Sequence, residues 1–596
     1  MDLYLYPRPK RWRKLRNEVD LTGRRLLKID RASPPRLQRA LARLASARAL
    51  DVTVGNATRP AVIVRPFPAT PPANIRAQGF ELRVRESIEI LPADECGAYY
   101  GTMAALSLLD QSRILPHMQI TDFPDIDRRG VMLDISRCKV PERHTLFGLI
   151  DRLTALRCNE LQLYTEHTFA YVNHETVWRD SSPLTAADII AIRDYCADRY
   201  IDLVPNINTF GHMQRWLQHP EYHHYAECPQ GFTHPLSGQR MPTGSTLKPD
   251  ADSLALVDEL LTEYLPLFTS PMVNIGGDEP WDLGSGATRE RCEREGKINV
   301  YLGFLAQIEA LVTGQDRRMQ FWADIVLNDP ACLDQLSGDL TAMIWGYEAS
   351  HPWARQCELL ADSETPFYVC PGTSSWLSLT GRGTDSLDNL RRAAVSAKRF
   401  GATGYLTTDW GDNGHHQYQP VSYLGFLAGL CFSWNVSSAT RFDAAHALGT
   451  CFFDDLTTGR LFVKLSQVMD LASARIHNST IFHHLFFWNM QGDPPARLTA
   501  DEVAACSLAL EEIAADAASA RPSDRLVLDE LLQTARMCEH GLERYRAGTG
   551  EAVNGPPPGD LREIIHTHRQ LWLQRNRPGG LEESVGYLEE SLTALV

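Results

Sequence analysis

The chain has 596 residues, 44% of them hydrophobic and 22% charged, with a formal net charge of −15. That length exceeds one ordinary core and allows two or three domains, while the negative balance argues against a nucleic-acid partner, whose backbone is bound through Lys and Arg. No apolar run reaches the roughly 18–20 residues of a membrane helix and no signal-peptide core opens the chain, so the sequence predicts a cytoplasmic protein without a membrane partner.

The first elements come in a basic opening, "RPKRWRKLR" (Arg8 to Arg16), read as an exposed, solvated segment rather than a nucleic-acid arm. Short β-like runs follow in "ALDVTVG" and "FELRVRESIEILP", then a helical pattern in "AYYGTMAALSLLDQS". Residues 1–121 are therefore expected to form a small α+β domain, and "TDFPDID" (Thr121 to Asp127), a proline among acids, a linker.

From there to about residue 440, eight apolar runs alternate with stretches of helical period. The runs are "RGVMLDISR", "CNELQLYTE", "YIDLVPNIN", "PMVNIGGDE", "RMQFWAD", "LTAMIWGYE", "PFYVCPG" and "ATGYLTTDW". Eight β/α units over such a span predict a (β/α)8 TIM barrel at 122–440, of the α/β class. Among the helices, "TAADIIAIRDYCADRY" carries Thr185 as an N-cap with Asp188 three residues on, an acidic capping box. After residue 440 the β-like runs stop. Residues 441–596 read as an α-helical domain, punctuated at "PPPGD" (Pro556 to Asp560) and "RPGG" (Arg577 to Gly580), that either covers the barrel or forms a homodimer interface. The 13 cysteines include no C-x-x-C pair, so neither a zinc site nor a disulfide framework is signalled.

A barrel carries its active site at the C-terminal ends of its strands. In order, those ends offer Asp134 and Arg137, Glu166 and His167, Asn208 and His212, Asp278-Glu279, Trp322 and Asp324, Trp345, Tyr347 and Glu348, Trp376, and Asp409, Trp410 and Asp412. Acids, an arginine and several tryptophans at one mouth suit a pyranose ring, whose apolar face packs on indole while charged groups take its hydroxyls. Asp412 with His415 and His416 is the nearest approach to a metal site, and no metal or other cofactor is expected.

"VNIGGDEPW" runs an apolar strand through two glycines into two adjacent carboxylates. The glycines are read as letting a ring approach the backbone. Held near one ligand, the acids repel and separate their pKa values, leaving one protonated acid and one carboxylate. A retaining glycosidase with a protein nucleophile sets its two carboxyls about 5 Å apart across the anomeric carbon, which consecutive residues do not easily do. They fit a substrate that supplies its own nucleophile, a 2-acetamido oxygen.

Those motifs carry a resemblance. "RGVMLDISR", "NTFGHM" (Asn208 to Met213), "IGGDE" and "FWAD" occur in the order found in glycoside hydrolase family 20, the β-N-acetylhexosaminidases, and "PADECGAYYGTMAAL" is similar to the end of the small domain that precedes the barrel there. The resemblance covers about residues 1–440. It implies that Asp278 orients the acetamido group and Glu279 is the general acid, then base. It further implies that Arg137 grips the C3 and C4 hydroxyls, that His212 hydrogen-bonds near Glu279, and that Glu166 stands where the family has an aspartate. Trp322, Trp345 and Trp410 would wall the pocket, and Asp412 would take the C4 or C6 hydroxyl. Two positions depart from the pattern. Asn274 replaces a frequent histidine, and in place of an evident tyrosine after strand seven, Trp376 or Tyr347 would donate to the acetamide oxygen. The activity implied is exo-acting, retaining removal of terminal β-linked GlcNAc or GalNAc from a small oligosaccharide or glycoconjugate. An endo-acting or disaccharide-releasing enzyme and an inactive sugar-binding protein are the alternatives.

Overall fold

The computed structural model describes residues 3–68, 75–550 and 558–593, so the break read at Pro556 to Asp560 lies partly outside the described residues. A seven-stranded sheet comes first. Its strands lie in the order Arg11–Asp20, Ile114–Asp122, Phe80–Val84, Ile88–Pro92, Val62–Val64, Leu26–Ile29 and Asp51–Val54. The run "FELRVRESIEILP" becomes an antiparallel hairpin, and the helix Glu95–Gln111 starts where Asp94 accepts the N–H of Gly97. The core of this sheet, with Leu82, Ile90 and Ile120 fully buried, reaches the barrel at Tyr200 and Trp434.

All eight expected barrel strands form: Arg128–Asp134, Glu160–Thr165, Asp202–Ile207, Met272–Asn274, Arg318–Trp322, Thr341–Gly346, Phe367–Pro371 and Gly404–Asp409. They pair in parallel, and the last closes on the first with Thr407 opposite Val131. Parallel strands covered by helices on the outside and filled within are buried on both faces, which is why they read as apolar runs without alternation. Thr185 and Asp188 form the capping box of the helix Ala186–Ala197, a device that contributes about 1 kcal/mol.

The barrel interior is layered by polarity. At the end where the strands begin, Gln162, Asn206 and Gln320 bond amide to amide, and Glu160 is held by Arg128 and by the hydroxyl of Tyr368. At the other end Met132, Tyr164, Trp322, Met343, Trp376 and Leu406 pack into a second layer, apolar and half aromatic, that floors the mouth. The amides share some of their bonds, while the amide oxygen of Asn206 and the amide nitrogen of Gln320 have no partner among the described residues, and the one carboxylate of the belt, Glu160, is paired.

The sheet and barrel are joined at Asp122, which accepts from the guanidinium of Arg157 at 2.5 Å and from the indole N–H of Trp434 at 2.9 Å. Beyond residue 444 the described chain is helical. Its final helices lie against the barrel: Arg577 pairs with Asp188 at 3.0 Å, Glu142 N–H donates to the carbonyl of Arg575, and the imidazole of His416 bonds the carbonyl of Ser584. Part of the helical region is therefore a cover for the barrel. All 13 cysteines are free thiols. Among the described residues no helix is long and apolar enough to cross a membrane.

Candidate active site

At the C-terminal ends of the strands lies a cavity of about 620 Å³, within the usual range for a small-molecule site. Arg137, His212, Asp278, Glu279, Trp322, Trp345, Tyr347, Trp376, Trp410 and Asp412 all line it. Ten side chains singled out from the sequence thus converge from seven strand ends. Glu166 does not line it. It sits behind Arg137, bonded to that guanidinium at 3.3 Å and to the hydroxyl of Tyr164 at 2.8 Å.

The loop carrying the acids is built on left-handed backbone. Gly276 and Gly277 have φ of 76° and 89°, and a Cβ on Gly276 would lie 2.3 Å from the amide oxygen of Asn208. Neither glycine lines the cavity, so they serve a tight turn packed against the third strand rather than the approach of a sugar ring. Asn274 steadies the same turn by accepting the N–H of Gly276 at 3.0 Å. Glu279 itself has φ of 47°, His212 57° and Asp412 38°. Left-handed backbone costs a non-glycine residue about 1 kcal/mol or more, and such residues cluster at active sites.

The Nε2 of His212 lies 3.2 Å from Asp278 and 3.5 Å from Glu279, so one imidazole bridges both carboxylates. The three reaching atoms fall within 4.8 Å of one another. Asp278 is buried, with its other oxygen unpartnered among the described residues, while the Glu279 side chain is more open. Burial and the neighbouring Asp278 push the Glu279 carboxyl above the usual range, against the pull of His212. Burial works against a charged imidazole at His212, but Asp278 outweighs it and raises His212 to about 9. NMR of the imidazole is accordingly expected to show a cation at pH 7 that titrates near pH 9, and a neutral ring at pH 7 would contradict the bridge. Because the folded value exceeds the unfolded 6.5, the stability His212 contributes is full below about pH 6.5 and is lost as pH rises through about 9.

Arg137 closes one end of the cavity. It pairs with Asp134 at 3.1 Å and with Glu166, and its guanidinium lies 4.7 and 5.0 Å from the rings of Tyr164 and Trp410. The aromatic wall is interlocked. Trp345 stacks on Tyr347, Tyr347 meets Trp376 edge-on at 4.9 Å, and Trp410 donates its indole N–H to the Tyr347 hydroxyl at 2.7 Å. The indole N–H groups of Trp322 and Trp345 are unpartnered among the described residues. His415 and His416 do not join Asp412 in a cluster: they bond the carbonyls of Arg137 and Ser584. Besides the trio around His212, the described residues hold one other group of metal-ligating type, His540, Glu543 and Asp560, where Arg536 and Arg544 already supply the positive charge.

Sequence comparison places these features in a known group. The model of glycosyl hydrolase family 20, domain 2, matches residues 2–123, and that of the family's catalytic domain matches residues 127–396. The chain belongs to glycosyl hydrolase family 20. Among curated relatives of this family 20 chain, lacto-N-biosidase of Bifidobacterium bifidum is 23% identical over 284 residues, 44% of this chain and 23% of that protein. Hexosaminidase D of Bos taurus is 27% identical over 208 residues, 33% of this chain and 56% of the relative. The chain thus spans at most about half the length of these relatives. In fold, it resembles the chitobiase of Flavobacterium johnsoniae over 98% of both chains (TM-score 0.61, 14% identity). It also resembles the β-N-acetylhexosaminidase of Bacteroides fragilis over 72% of this chain and 90% of that one (TM-score 0.58, 18% identity).

Two side chains lining the family 20 site come from where no strand ends, and a third contributor sits behind the acid pair. Asn478 and His477 reach the cavity from beyond the barrel, where no strand-end rule points. Asp324 was visible as a strand end, but its part was not. It is a third buried carboxyl behind the pair, accepting the backbone N–H of Glu279 at 3.3 Å. Burial, Asp278 and Glu279 push it well above the carboxylate range. Asp324→Asn, which keeps the shape and carries no charge, is expected to hold kcat/KM within a few-fold and leave the pH profile in place. Asp324→Ala frees the left-handed Glu279 and should lower kcat about tenfold or more. A displaced basic limb in the Asn variant would show that Asp324 is ionised.

Proposed function

We propose that the chain is an exo-acting, retaining β-N-acetylhexosaminidase that removes terminal β-linked GlcNAc or GalNAc with the 2-acetamido group as nucleophile. The observation that carries this is the bridged pair: Asp278 and Glu279 reach to within 4.8 Å of each other on one loop, sharing His212. Inverting enzymes need about 6.5–9.5 Å between carboxyls to seat a water. Two acids on the same wall serve instead one nucleophile at C1 and one leaving oxygen.

In this reading the Asp278 carboxylate accepts the acetamide N–H, which raises the electron density on the acetamide oxygen as it attacks C1. Glu279, whose hold on its proton is strengthened by burial and by Asp278, gives that proton to the departing glycosidic oxygen. The cyclic oxazolinium is then opened by a water that Glu279 deprotonates, so the proton returns to the acid and the β configuration is kept. Tyr347 is the better donor to the acetamide oxygen, since it lines the cavity and its hydroxyl oxygen already accepts from Trp410, which favours giving its hydrogen outward. Trp376 shapes the same wall. Arg137, with Asp134, Glu166 and Asp412 around it, would bind the far hydroxyls and block chain extension, which supports action at a chain end.

The p-nitrophenyl glycosides of β-GlcNAc and β-GalNAc are expected to be cleaved and the β-glucoside not, with β-anomer as the first product by NMR. Cleavage of the glucoside, or an α-anomer first, would overturn the acetamido mechanism. The likeness to a lacto-N-biosidase favours disaccharide release as the second reading, and the size of the product from a longer oligosaccharide separates the two.

A further inference from the structure

The basic opening is the sequence feature that the glycosidase reading leaves unused. Its strand, Arg11–Asp20, lies at the edge of the seven-stranded sheet, paired only with Ile114–Asp122. Charged side chains on an edge strand guard against edge-to-edge association, and that accounts for the exposed Arg11, Arg13 and Arg16. It does not account for the cavity of about 440 Å³ that the same segment forms against the end of the barrel's last helix.

The cavity floor is apolar, with Leu3, Leu5, Pro9 and Cys431 buried. Its rim carries the rings of Tyr4 and Trp12 and three cations from three places: Arg8 ahead of the strand, Lys14 on it, and Arg441 from the turn beyond the barrel. Among the described residues none of these three side chains has an ion-pair or hydrogen-bond partner. The described carboxylate in the lining, Asp443, caps the next helix through the N–H of His446 and offsets one of the three cations, so the lining stays net positive. The indole N–H of Trp12 is buried and likewise without a partner among the described residues.

Edge protection needs no arginine from a remote turn. Three unpaired cations converging on one hollow, in a chain of net charge −15, repel one another and attract an anion. Aromatic faces and an apolar floor suit the C–H face of a ring. We propose that this cavity binds an anionic sugar unit, one carrying a sulfate or a carboxylate, at a place separate from the reaction cavity. The two cavities share no lining residue. Arg441 follows the helix Gln419–Trp434, which leaves the mouth after the eighth strand and runs to the opposite end of the barrel. The site would therefore anchor a glycan and take no part in the bond-breaking step. That the ligand is a sugar rests on the glycan-hydrolase reading; that it is an anion does not.

The test uses the full chain with Glu279→Gln to prevent turnover, titrated calorimetrically with a tetrasaccharide of alternating uronic acid and sulfated N-acetylgalactosamine. Parallel titrations use its desulfated, carboxyl-reduced counterpart and sodium sulfate. The anionic tetrasaccharide is expected to bind, to weaken as salt rises, and to lose about tenfold or more in affinity with Arg441→Glu or Arg8→Ala. Excess GlcNAc should not displace it. In the otherwise wild-type chain, Arg441→Glu should leave turnover of the p-nitrophenyl substrate unchanged, which also reports an intact fold. Absence of binding, equal binding of the neutral tetrasaccharide, or affinity indifferent to both substitutions would overturn the proposal. Sodium sulfate binding as tightly as the tetrasaccharide would overturn the sugar part. A chain inactive on every glycoside but still binding through Arg441 would refute the hydrolase reading alone.

Discussion

Glu279→Gln is expected to lose about 10³- to 10⁴-fold in kcat on an oligosaccharide but only about 10²-fold on the p-nitrophenyl glycoside, the range general-acid catalysis covers. An alkoxide leaves only if protonated, whereas p-nitrophenolate leaves with little help, so removing the acid is felt most where the leaving group is poor. Asp278→Asn should behave differently. Its carboxylate would steer the acetamide and answer the positive charge of the ring-closed intermediate, needs that do not depend on the leaving group, so a similar loss of about 10²- to 10³-fold is expected on both substrates. Steady-state kinetics of two variants on two substrates therefore assign the roles. If Glu279→Gln lost the same factor on each, Glu279 would not be the acid. The wild-type profile adds a direction: burial and Asp278 raise the Glu279 carboxyl, so the basic limb of kcat/KM should lie above the ordinary carboxylate range.

Arg137→Met should be the most damaging substitution for stability within the site. The guanidinium is held between Asp134 at 3.1 Å and Glu166 at 3.3 Å, with Asp412 adding to the negative field. Asp134 and Glu166 are buried, at 3% and 7% exposure, so removing their cation leaves charges that water does not reach. Breaking a buried pair in that way costs about 3–5 kcal/mol, against about 0–1 kcal/mol for an exposed pair. The same variant should lose about 10²-fold or more in kcat/KM, because in the proposed reading the far hydroxyls would lose their bidentate donor. Denaturant unfolding of the variant beside the wild type measures the deficit. Arg137→Lys is expected to recover only part of either loss, as one ammonium cannot reach both carboxylates with the geometry of a planar fork. Unchanged stability in Arg137→Met would mean that the acids find other partners.

The roles of neighbouring groups were less legible than their positions. Asp324 was in view at the end of the fifth strand, yet nothing in "FWAD" shows that its carboxyl turns back to the N–H of Glu279, because that contact depends on how strands four and five sit in register. Glu166 has the composition of a ligand-binding acid and works one layer further back. The two glycines matter for other neighbours than a sugar ring: Gly276 admits Asn208, Gly277 faces the hydroxyl of Tyr301, and both take a left-handed turn.

What the sequence determined by itself was the barrel and its mouth. Eight apolar runs of strand length, separated by helical period, leave few ways to bury both faces of every strand, and a parallel barrel places all their ends together. The residues closing those runs could therefore be gathered before any coordinate was known. Only the tertiary structure decided which of them touch. Whether two acids share a histidine, whether an arginine is neutralised from behind, and whether a remote helical region lends Asn478 to the cavity depend on side-chain direction and on contacts between residues not adjacent in the chain, in the last case hundreds of positions apart. Those distances are set by packing, and packing leaves no periodic mark in the chain.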